Sequence, residues 1–307
     1  MERELQDIIA FLEKVEIEKD EVDGEALKSA LPELDEYRKA HARRFWKSLA
    51  LIQKWAPPDR PLRILELGSA PYYFTLLLHR ALPCRITGVN VEAGVWPGEA
   101  KSVPGPKVVR LRWGEGEADA LDLEIHVFNI EKDRFPFAAG SFDMVLCMET
   151  IEHLTYSPTH MLTETHRVLR PGGKLVLSTP NSINMKQTVA LLCNRSMEFP
   201  YSGYGIYGRH QREWTVQELR TLLEACHYRV VEAEVANIFL RSHLPTAKRL
   251  AFGVLNLLSS LPVPYLRAKR EYILLVAESF GEPHAAYPEH LYTHRHLYPM
   301  EEGREAK

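Results

Sequence analysis

Two carboxylates and an imidazole lie close together in the run Glu149-Thr150-Ile151-Glu152-His153. If this run is helical, the three side chains occupy positions i, i+3 and i+4 and share one face. Such a set can accept a proton from a hydroxyl group, or it can bind a divalent cation that lowers the pKa of the hydroxyl. A structural alternative is that Glu152 caps a helix and His153 only lines a pocket. We predict that His153 faces a substrate pocket.

The turn at residues 66–71, Glu-Leu-Gly-Ser-Ala-Pro, follows an apolar run and precedes a helical pattern. Gly68 allows a sharp turn and a close approach of the backbone to a ligand, and Pro71 suits the first position of a helix. The free N–H groups of a helix N-terminus attract carboxylates and phosphates. Such turns bind nucleotide-like cofactors at the carboxyl ends of strands, although a purely structural turn has the same sequence pattern.

This turn departs from the G-x-G-x-x-G fingerprint of nicotinamide enzymes. Gly68 is present, but Ala70 and Tyr73 stand at the other two glycine positions. The acidic residue expected after the second strand is displaced as well, because Asn90 ends that strand and Glu92 follows it. These departures argue against a dehydrogenase.

The elements that must position these groups alternate between apolar runs and helical patterns from residue 62 onward. This alternation predicts an α/β fold, with right-handed crossovers and helices on both faces of a mostly parallel sheet. Seven strands are predicted, which cover residues 63–67, 85–91, 125–130, 142–148, 174–179, 228–235 and 271–278.

Three parts of the chain are expected. The spacing of apolar side chains predicts helices over 2–19 and 25–55, and the prolines from Pro57 onward end this helical part. The predicted parts are an N-terminal helical extension at 1–56, the α/β domain at 57–280 and a polar tail at 281–307.

A helical insertion at 237–270 interrupts the α/β domain before its last strand. It holds a short apolar run that Pro262 and Pro264 break, with arginines and lysines on either side. We favour a helix that packs on the domain or in a dimer interface. The alternative is a peripheral membrane contact through 241–270, in which the apolar side of the helix enters the headgroup region.

Three successive segments resemble the signatures of class I S-adenosylmethionine-dependent methyltransferases. They are Glu66-Leu67-Gly68, FNIEKDRFPFAAGSFDMVLCMETIEHL at 128–154 and HRVLRPGGKLVLSTPN at 166–181. Their order makes the resemblance specific, and it extends over about 62–235. It implies a Rossmann-like fold, S-adenosylmethionine as the cofactor and transfer of the cofactor's methyl group.

The resemblance also implies which residues contact the cofactor. Asn129 stands where the family usually has an aspartate that accepts from the adenine amino group, so this position departs from the pattern. The implied contacts are Glu66, Gly68, Ser69 and Ala70 at the methionine, Asn90 with Glu92 at the ribose, Asn129 and the backbone of Ile130 at the adenine, and Met148 near the sulfonium.

The E-x-x-E-H run and a later histidine, His210, ahead of E-W-T are similar to the metal site of small-RNA 2′-O-methyltransferases. The first part also resembles quinone-biosynthesis O-methyltransferases. This likeness implies a divalent cation such as Mg²⁺, Mn²⁺, Zn²⁺ or Fe²⁺ on Glu149, Glu152, His153 and His210, of which the last three are the candidate catalytic residues. Methyltransferases that use no metal carry the same turn, and there the histidine acts as a base or lines the pocket.

The predicted acceptor is a small polar molecule that is methylated on oxygen, such as a sugar, a glycan precursor or another hydroxylated metabolite. A segment rich in glycine and tyrosine supports an acceptor site, since Tyr201, Tyr204 and Tyr207 can stack on a ring and Arg209 can pair with an anion. The alternatives are RNA 2′-O-methylation and a non-catalytic scaffold with a methyltransferase fold.

Composition limits the partners and the compartment. With 38 basic and 41 acidic residues the net charge is −3, which gives no general attraction to nucleic acid and disfavours RNA. The cysteines form no CxxC pair and are expected to be reduced, and the charged N-terminal segment is unlike a secretory signal, so we expect a cytoplasmic protein. The cysteines are Cys84, Cys147, Cys193 and Cys226.

Overall fold

The computed structural model describes residues 2–22, 31–57, 60–91, 103–195, 209–239, 245–288 and 291–292. The helices and strands in chain order are α1 (Glu2–Leu12), β1 (Glu16–Asp20), α2 (Leu31–Trp55), β2 (Leu62–Leu67), α3 (Tyr73–Ala81), β3 (Cys84–Asn90), β4 (Val103–Arg112), β5 (Ala120–Val127), β6 (Phe142–Met148), α4 (Thr159–Val168), β7 (Leu169–Pro180), α5 (Met185–Leu192), α6 (Val216–Ala225), β8 (Tyr228–Ala236), α7 (Thr246–Ser260), α8 (Pro264–Arg267) and β9 (Tyr272–Ser279). Short 3-10 turns cover Glu117–Asp119 and Ile151–His153.

In the described ranges, nine strands form one sheet in the order β1-β4-β5-β3-β2-β6-β7-β9-β8. The central strands from β5 to β7 are parallel, and antiparallel strands flank them on both sides. Leu67 of β2 lies beside Val89 of β3 and Cys147 of β6, so these three strands end at the same level. Their carboxyl ends therefore bring the following loops together at one edge of the sheet.

Helices cover both faces of the parallel strands. Strand β6 is buried from Phe142 to Cys147, a continuous run that is typical of a parallel strand between two helical layers. On one face the core includes Leu12 of α1 and Ile52 of α2. On the other face it includes Leu222 of α6. The N-terminal helices thus pack directly on the sheet.

The predicted Rossmann-like α/β fold is confirmed, but the predicted number of seven strands is wrong. Helix α1 ends at Leu12, and β1 occupies part of the helix that was predicted over 2–19. The side chain of Glu18 in β1 pairs with Arg110 and Arg112 of β4. Because charge pairs between neighbouring strands hold β1 in place, its sequence lacks the alternation of apolar residues that would have predicted a strand.

Strand β4 was not predicted, because Pro104, Gly105 and Pro106 near its start are typical of a turn. The strand predicted at 125–130 extends too far, since β5 ends at Val127 and Asn129 lies in the loop beyond it. The predicted N-terminal helices and the helix in the insertion are present as α1, α2 and α7.

Two further observations concern the whole of the described chain. None of its helices has both the length and the apolar character that are needed to cross a membrane. The four cysteines are free thiols, as predicted: Cys84, Cys147, Cys193 and Cys226.

A buried carboxylate joins β2 to β6. Asp143 accepts two hydrogen bonds from Arg60, at 2.7 and 2.8 Å, one from Arg170 at 2.8 Å and one from the backbone N–H of Arg63 at 2.9 Å. Burial alone would raise the pKa of Asp143, but the hydrogen bonds from Arg60 and Arg63 hold it well below its ordinary value. Its charge therefore stabilises the folded state at every pH above the ordinary aspartate range.

We expect Asp143→Asn to lower the free energy of unfolding by about 2–3 kcal/mol at pH 7, because the arginines lose a buried partner. The difference from the wild type should be complete above about pH 4 and should shrink as the pH falls, since acid protonates Asp143 itself. Denaturant unfolding at several pH values measures this. Asp122→Asn, at an exposed carboxylate that pairs with Arg110, is the matched control and should change stability by less than about 0.5 kcal/mol. Equal effects of the two substitutions would contradict the conclusion that the buried charge of Asp143 stabilises the fold.

Candidate functional site

A cavity of about 250 Å³ lies at the carboxyl ends of β2, β3, β5 and β6. A smaller cavity adjoins it, and Gly68 and Ala70 line both of them. The larger cavity is lined by Gly68, Ala70, Val89, Asn90, Val91, Phe128, Asn129, Ile130, Glu149, Thr150, His153 and Leu154. The smaller one is lined by Tyr37, Arg44, Phe45, Ser48, Glu66, Gly68, Ser69, Ala70, Pro71, Tyr72, Tyr73, Phe74 and Met148.

The residues predicted to contact the cofactor divide between these cavities. Asn90, Asn129 and Ile130, which the resemblance places at the ribose and adenine, line the larger one. Glu66 and Ser69, which it places at the methionine, and Met148, which it places near the sulfonium, line the smaller one. Glu92 lies outside the described residues, as do Tyr201, Tyr204 and Tyr207.

Position 68 requires a glycine, both for its backbone conformation and for lack of space. It has φ 69°, and an added Cβ would lie 2.5 Å from Oγ1 of Thr150. That hydroxyl donates to the carbonyls of Leu67 at 3.0 Å and Met148 at 3.1 Å, which ties the turn after β2 to the turn after β6. The predicted position of Pro71 as the first helical residue is wrong, because α3 begins at Tyr73.

Asn90 holds the turn together from the neighbouring strand. Its Oδ1 accepts from the hydroxyl of Ser69 and the backbone N–H of Ala70, both at 3.2 Å, and its Nδ2 donates to the hydroxyl of Tyr72 at 3.1 Å. An amide can make both kinds of bond, whereas a carboxylate only accepts. This use of the side chain gives a physical reason for an amide at the end of β3, where the sequence pattern led us to expect an acidic residue.

The Glu66 carboxylate is buried in the smaller cavity. The hydroxyl of Thr75 donates to it at 2.5 Å. Burial nevertheless dominates and raises the pKa of Glu66 to about 7. A carboxyl group with such a pKa carries a proton in part of the molecules near neutral pH.

Helix α2 covers the smaller cavity with Tyr37, Arg44, Phe45 and Ser48. Arg44 is almost completely buried, and its guanidinium lies 2.9 Å from the carboxylate of Glu149. Sequence reasoning missed these residues as part of the site. The available signal was a charged side chain within the apolar face of an otherwise ordinary amphipathic helix.

The run from Glu149 to His153 is not α-helical, so the predicted common face for its side chains is wrong. Glu149 has φ 53°, and a 3-10 turn follows at Ile151–His153. The carboxylate of Glu149 accepts from the hydroxyl of Ser178 at 2.7 Å and pairs with Arg44. The geometry thus separates Glu149 from Glu152.

Glu152, His153 and His210 come together, with one ligand-type atom of each within 4.8 Å of the others. The carbonyl of Glu152 accepts from the backbone N–H groups of Gln211 at 2.7 Å and Arg212 at 3.2 Å. These bonds place the loop that carries His210 against the turn after β6. The two imidazole rings meet edge to face, with centroids 5.0 Å apart.

The hydrogen bonds of the two rings fix which nitrogen carries a lone pair. Nδ1 of His153 donates to the carbonyl of Arg209 at 3.1 Å, because a carbonyl only accepts. Nδ1 of His210 donates to the carboxylate of Glu213 at 2.9 Å. In the neutral rings Nε2 is therefore the basic atom of both histidines.

Glu152 is completely buried. Its Oε2 accepts from the hydroxyl of Thr179 at 3.0 Å, while Oε1 has no hydrogen-bond partner within the described part of the chain. Burial raises the pKa of Glu152 to about 7. Burial disfavours the charged form of His210 as well, but the hydrogen bond to Glu213 and the charge of Glu152 outweigh it and raise the pKa of His210. The cluster can therefore hold or release a proton near neutral pH.

His210 also lines a third cavity, of about 170 Å³, on the other side of the cluster. Its walls include Phe239, Phe252 and Leu255 together with polar groups such as Asn184. Of the catalytic candidates, His153 lies in the wall of the first cavity and His210 in the wall of the third, while Glu152 is buried beside them and lines neither.

The sequence of this chain is similar to those of known methyltransferases. Residues 35–233 match a protein family described as a methyltransferase domain. A stretch of 76 residues is 38% identical to the ubiquinone biosynthesis O-methyltransferase of Xanthomonas oryzae pv. oryzae (strain PXO99A) and covers 25% of this chain and 31% of that protein. Over 137 residues the chain is 31% identical to the ubiquinone/menaquinone biosynthesis C-methyltransferase of Paracoccus denitrificans (strain Pd 1222), with 44% of this chain and 48% of that protein covered.

The chain spans about a third to a half of the length of these two curated relatives. Among solved structures, a SAM-dependent methyltransferase from Methanosarcina mazei is 16% identical, with a TM-score of 0.47 and with 76% of this chain and 98% of that chain covered.

We expect Gly68→Ala to weaken the binding of S-adenosylmethionine by about tenfold or more, because the new methyl group displaces Thr150 at a cost of about 1–3 kcal/mol. Isothermal titration measures the affinity. Gly172→Ala is the matched control, since Gly172 has φ 70° but no heavy atom within 4 Å of an added Cβ. Both variants carry similar backbone strain, about 1–2 kcal/mol. Unchanged affinity in Gly68→Ala, or an equal loss in both variants, would contradict the steric explanation.

Proposed function

This chain belongs to the family of class I S-adenosylmethionine-dependent methyltransferases, and from that premise we propose that it methylates a hydroxyl oxygen of a small, ring-sized acceptor. The observation that carries the proposal is the cluster of Glu152, His153 and His210, in which His153 lines the first cavity, His210 lines the third and Glu152 is buried beside them. The cofactor occupies the cavities beside Gly68, and the acceptor occupies the cavity beside His210.

A hydroxyl group needs such a cluster because it is a poor nucleophile until its proton is removed. Glu152 presents an oxygen without a hydrogen-bond partner in the described ranges, and a base with a pKa of about 7 accepts a proton more readily than an ordinary carboxylate. Nε2 is the basic atom of both His153 and His210, and one ligand-type atom of each ring lies within 4.8 Å of a carboxylate oxygen of Glu152. The methyl group then passes from the sulfonium to the acceptor oxygen, and the proton stays on the cluster.

The cavity beside His210 sets the size of the acceptor. Its volume of about 170 Å³ is close to the roughly 150 Å³ of a protein cavity that accommodates benzene. Phe239, Phe252 and Tyr272 line it with aromatic rings, and Asn237 and Asn256 are among its polar residues. These walls suit a hydroxylated ring, either a phenol or a sugar.

The donor set also fits a divalent cation. One carboxylate and two imidazoles suit Zn²⁺, Mn²⁺ or Fe²⁺, and Oε1 of Glu152 is the buried atom that such an ion would satisfy. The ion would be held by Glu152, His153 and His210, without Glu149, whose carboxylate pairs with Arg44. A bound cation would lower the pKa of the acceptor hydroxyl.

The curated relatives give limited support for the target atom. One of them is named an O-methyltransferase and the other a C-methyltransferase. Oxygen is favoured for this chain because the buried cluster supplies the proton acceptor that a hydroxyl requires. The four free cysteines agree with a reducing compartment such as the cytoplasm.

The target atom can be identified with S-adenosylmethionine that carries ¹³C in its methyl group. Pools of phenols, sugars and RNA are incubated with the protein, and the chemical shift of the transferred carbon distinguishes O-methyl from N-methyl and C-methyl products. We expect an O-methyl signal in the phenol or sugar pool. Label on nitrogen or carbon, or label in RNA alone, would contradict the proposal.

We expect Mn²⁺ or Zn²⁺ to bind EDTA-treated protein with one-to-one stoichiometry in isothermal titration. Glu152→Ala and His210→Ala should each weaken this binding by about tenfold or more, because each removes a ligand. Glu149→Ala is the matched control and should leave the affinity unchanged, since its carboxylate pairs with Arg44. No binding to the wild-type protein would exclude the cation and leave the cluster as a general base. A loss in Glu149→Ala as large as in Glu152→Ala would show that the ligand set is different.

A further inference from the structure

Large apolar side chains are exposed to solvent on helices α5 and α7 and in the segment that follows α7. Leu192 is 81% exposed, Leu250 73% and Leu257 67%. The two helices pack against each other, so these residues belong to one region, which we call the α5–α7 surface. Its exposed apolar residues are Ile183, Val189, Leu191, Leu192, Leu250, Val254, Leu257, Leu258, Leu261, Val263 and Tyr265.

Helix α7 carries apolar residues on two opposite sides. Phe252 and Leu255 face inward and line the cavity beside His210. Leu250, Val254 and Leu257 recur at intervals of four and three residues, which places them on one stripe. All of α7 is described, and Ser259 is its one buried residue. The outer stripe therefore has no role in the core of the domain.

Charge distinguishes this surface from the rest of the chain. No aspartate or glutamate occurs in residues 181–197 or 235–270, although the chain has 41 acidic residues. Exposed cations stand among the apolar residues in both helices and beside them. They are Lys186, Arg195, Lys248, Arg249 and Arg267.

This combination of charges disfavours a second copy of the chain as the occupant. A twofold interface places the same patch on both sides, so Lys248 and Arg249 would approach their own copies without an acidic partner in these segments. An anionic lipid surface supplies a partner for the exposed cations and a partner for the exposed apolar side chains. Its phosphates attract the cations, and its acyl region accepts the leucines.

We propose that the α5–α7 surface docks on an anionic lipid membrane, with the outer stripe of α7 in the headgroup region. The sequence favoured packing on the domain or a dimer for this insertion, but the exposure of Leu250 and Leu257 now favours the membrane contact. The inner sides of the same helices wall the cavity beside His210. A docked molecule therefore places that cavity about one helix diameter, roughly 10 Å, from the lipid.

Docking also narrows the class of acceptor, an extension that rests on the proposed function. An acceptor with a hydroxylated ring and an apolar tail would partition into the membrane. The tail would remain near Leu250 and Leu257, while the ring would enter the cavity lined by Phe252. The surface is independent of this extension, because it depends only on exposure and charge.

Vesicle co-sedimentation tests the surface with the full chain. The vesicles are phosphatidylcholine alone or phosphatidylcholine with about 30% phosphatidylglycerol. We expect the protein to bind the anionic vesicles and to lose binding as salt is raised, because salt screens the cations. Val254→Glu should reduce partitioning by about tenfold or more, since it removes apolar burial and adds a negative charge. Val108→Glu changes an exposed valine of β4 in the same way and should bind like the wild type.

Three outcomes would overturn the proposal: no binding to anionic vesicles, equal losses in the two variants, or a lipid-free dimer that Val254→Glu dissociates. The last result would show that a second copy covers the surface. Affinity for S-adenosylmethionine and methyl transfer to a water-soluble acceptor are measured on the same preparations and should not differ between the two variants. If vesicle binding persists while methyl transfer to hydroxyls fails, the proposed function is wrong and the surface stands.

Discussion

The complete burial of the Glu152 carboxylate is the constraint on which the site depends. A buried carboxylate with one oxygen lacking a partner in the described chain destabilises a fold unless neighbouring groups or a ligand compensate. The compensation here is partial, from the hydroxyl of Thr179 on β7. The backbone carbonyl of Glu152 also accepts from the N–H groups of Gln211 and Arg212, and these bonds hold the loop that carries His210. One residue thus connects the sheet, the turn after β6 and the loop beyond β7.

A second buried charge pair ties the N-terminal helices to this site. Arg44 lies with its guanidinium beside Glu149, donates to the hydroxyl of Tyr37 at 2.7 Å and stands 5.1 Å from the ring centre of Phe45. Helix α2 therefore does more than cover the sheet, because it closes the part of the cleft that contains Glu66. Because Glu149 pairs with Arg44, it does not join the cluster that Glu152 forms with His153 and His210, although the two glutamates are only three positions apart.

The sequence predicted well the features that depend on local pattern, and less well those that depend on tertiary pairing. The central strands were found because their apolar runs are buried on both faces, as in β6. Strand β1 and the proline-rich start of β4 were missed because their stability comes from cross-strand partners. The resemblance to small-RNA 2′-O-methyltransferases grouped Glu152, His153 and His210, and the structure brings these three residues together. The positive φ of Glu149, which removes it from that group, leaves no trace in the composition. Arg44 lies more than a hundred positions away and becomes part of the site only through the packing of α2.

We propose that Glu152 serves the transfer of a proton from the acceptor and not the binding of the cofactor. Single-turnover methyl transfer in the wild type and Glu152→Gln tests this most directly, with S-adenosylmethionine affinity measured in parallel on the same samples. We expect Glu152→Gln to lower the rate of the chemical step by about a hundredfold or more and to leave the cofactor affinity unchanged. An unchanged rate, or a loss of cofactor affinity that accounts for the whole effect, would contradict it.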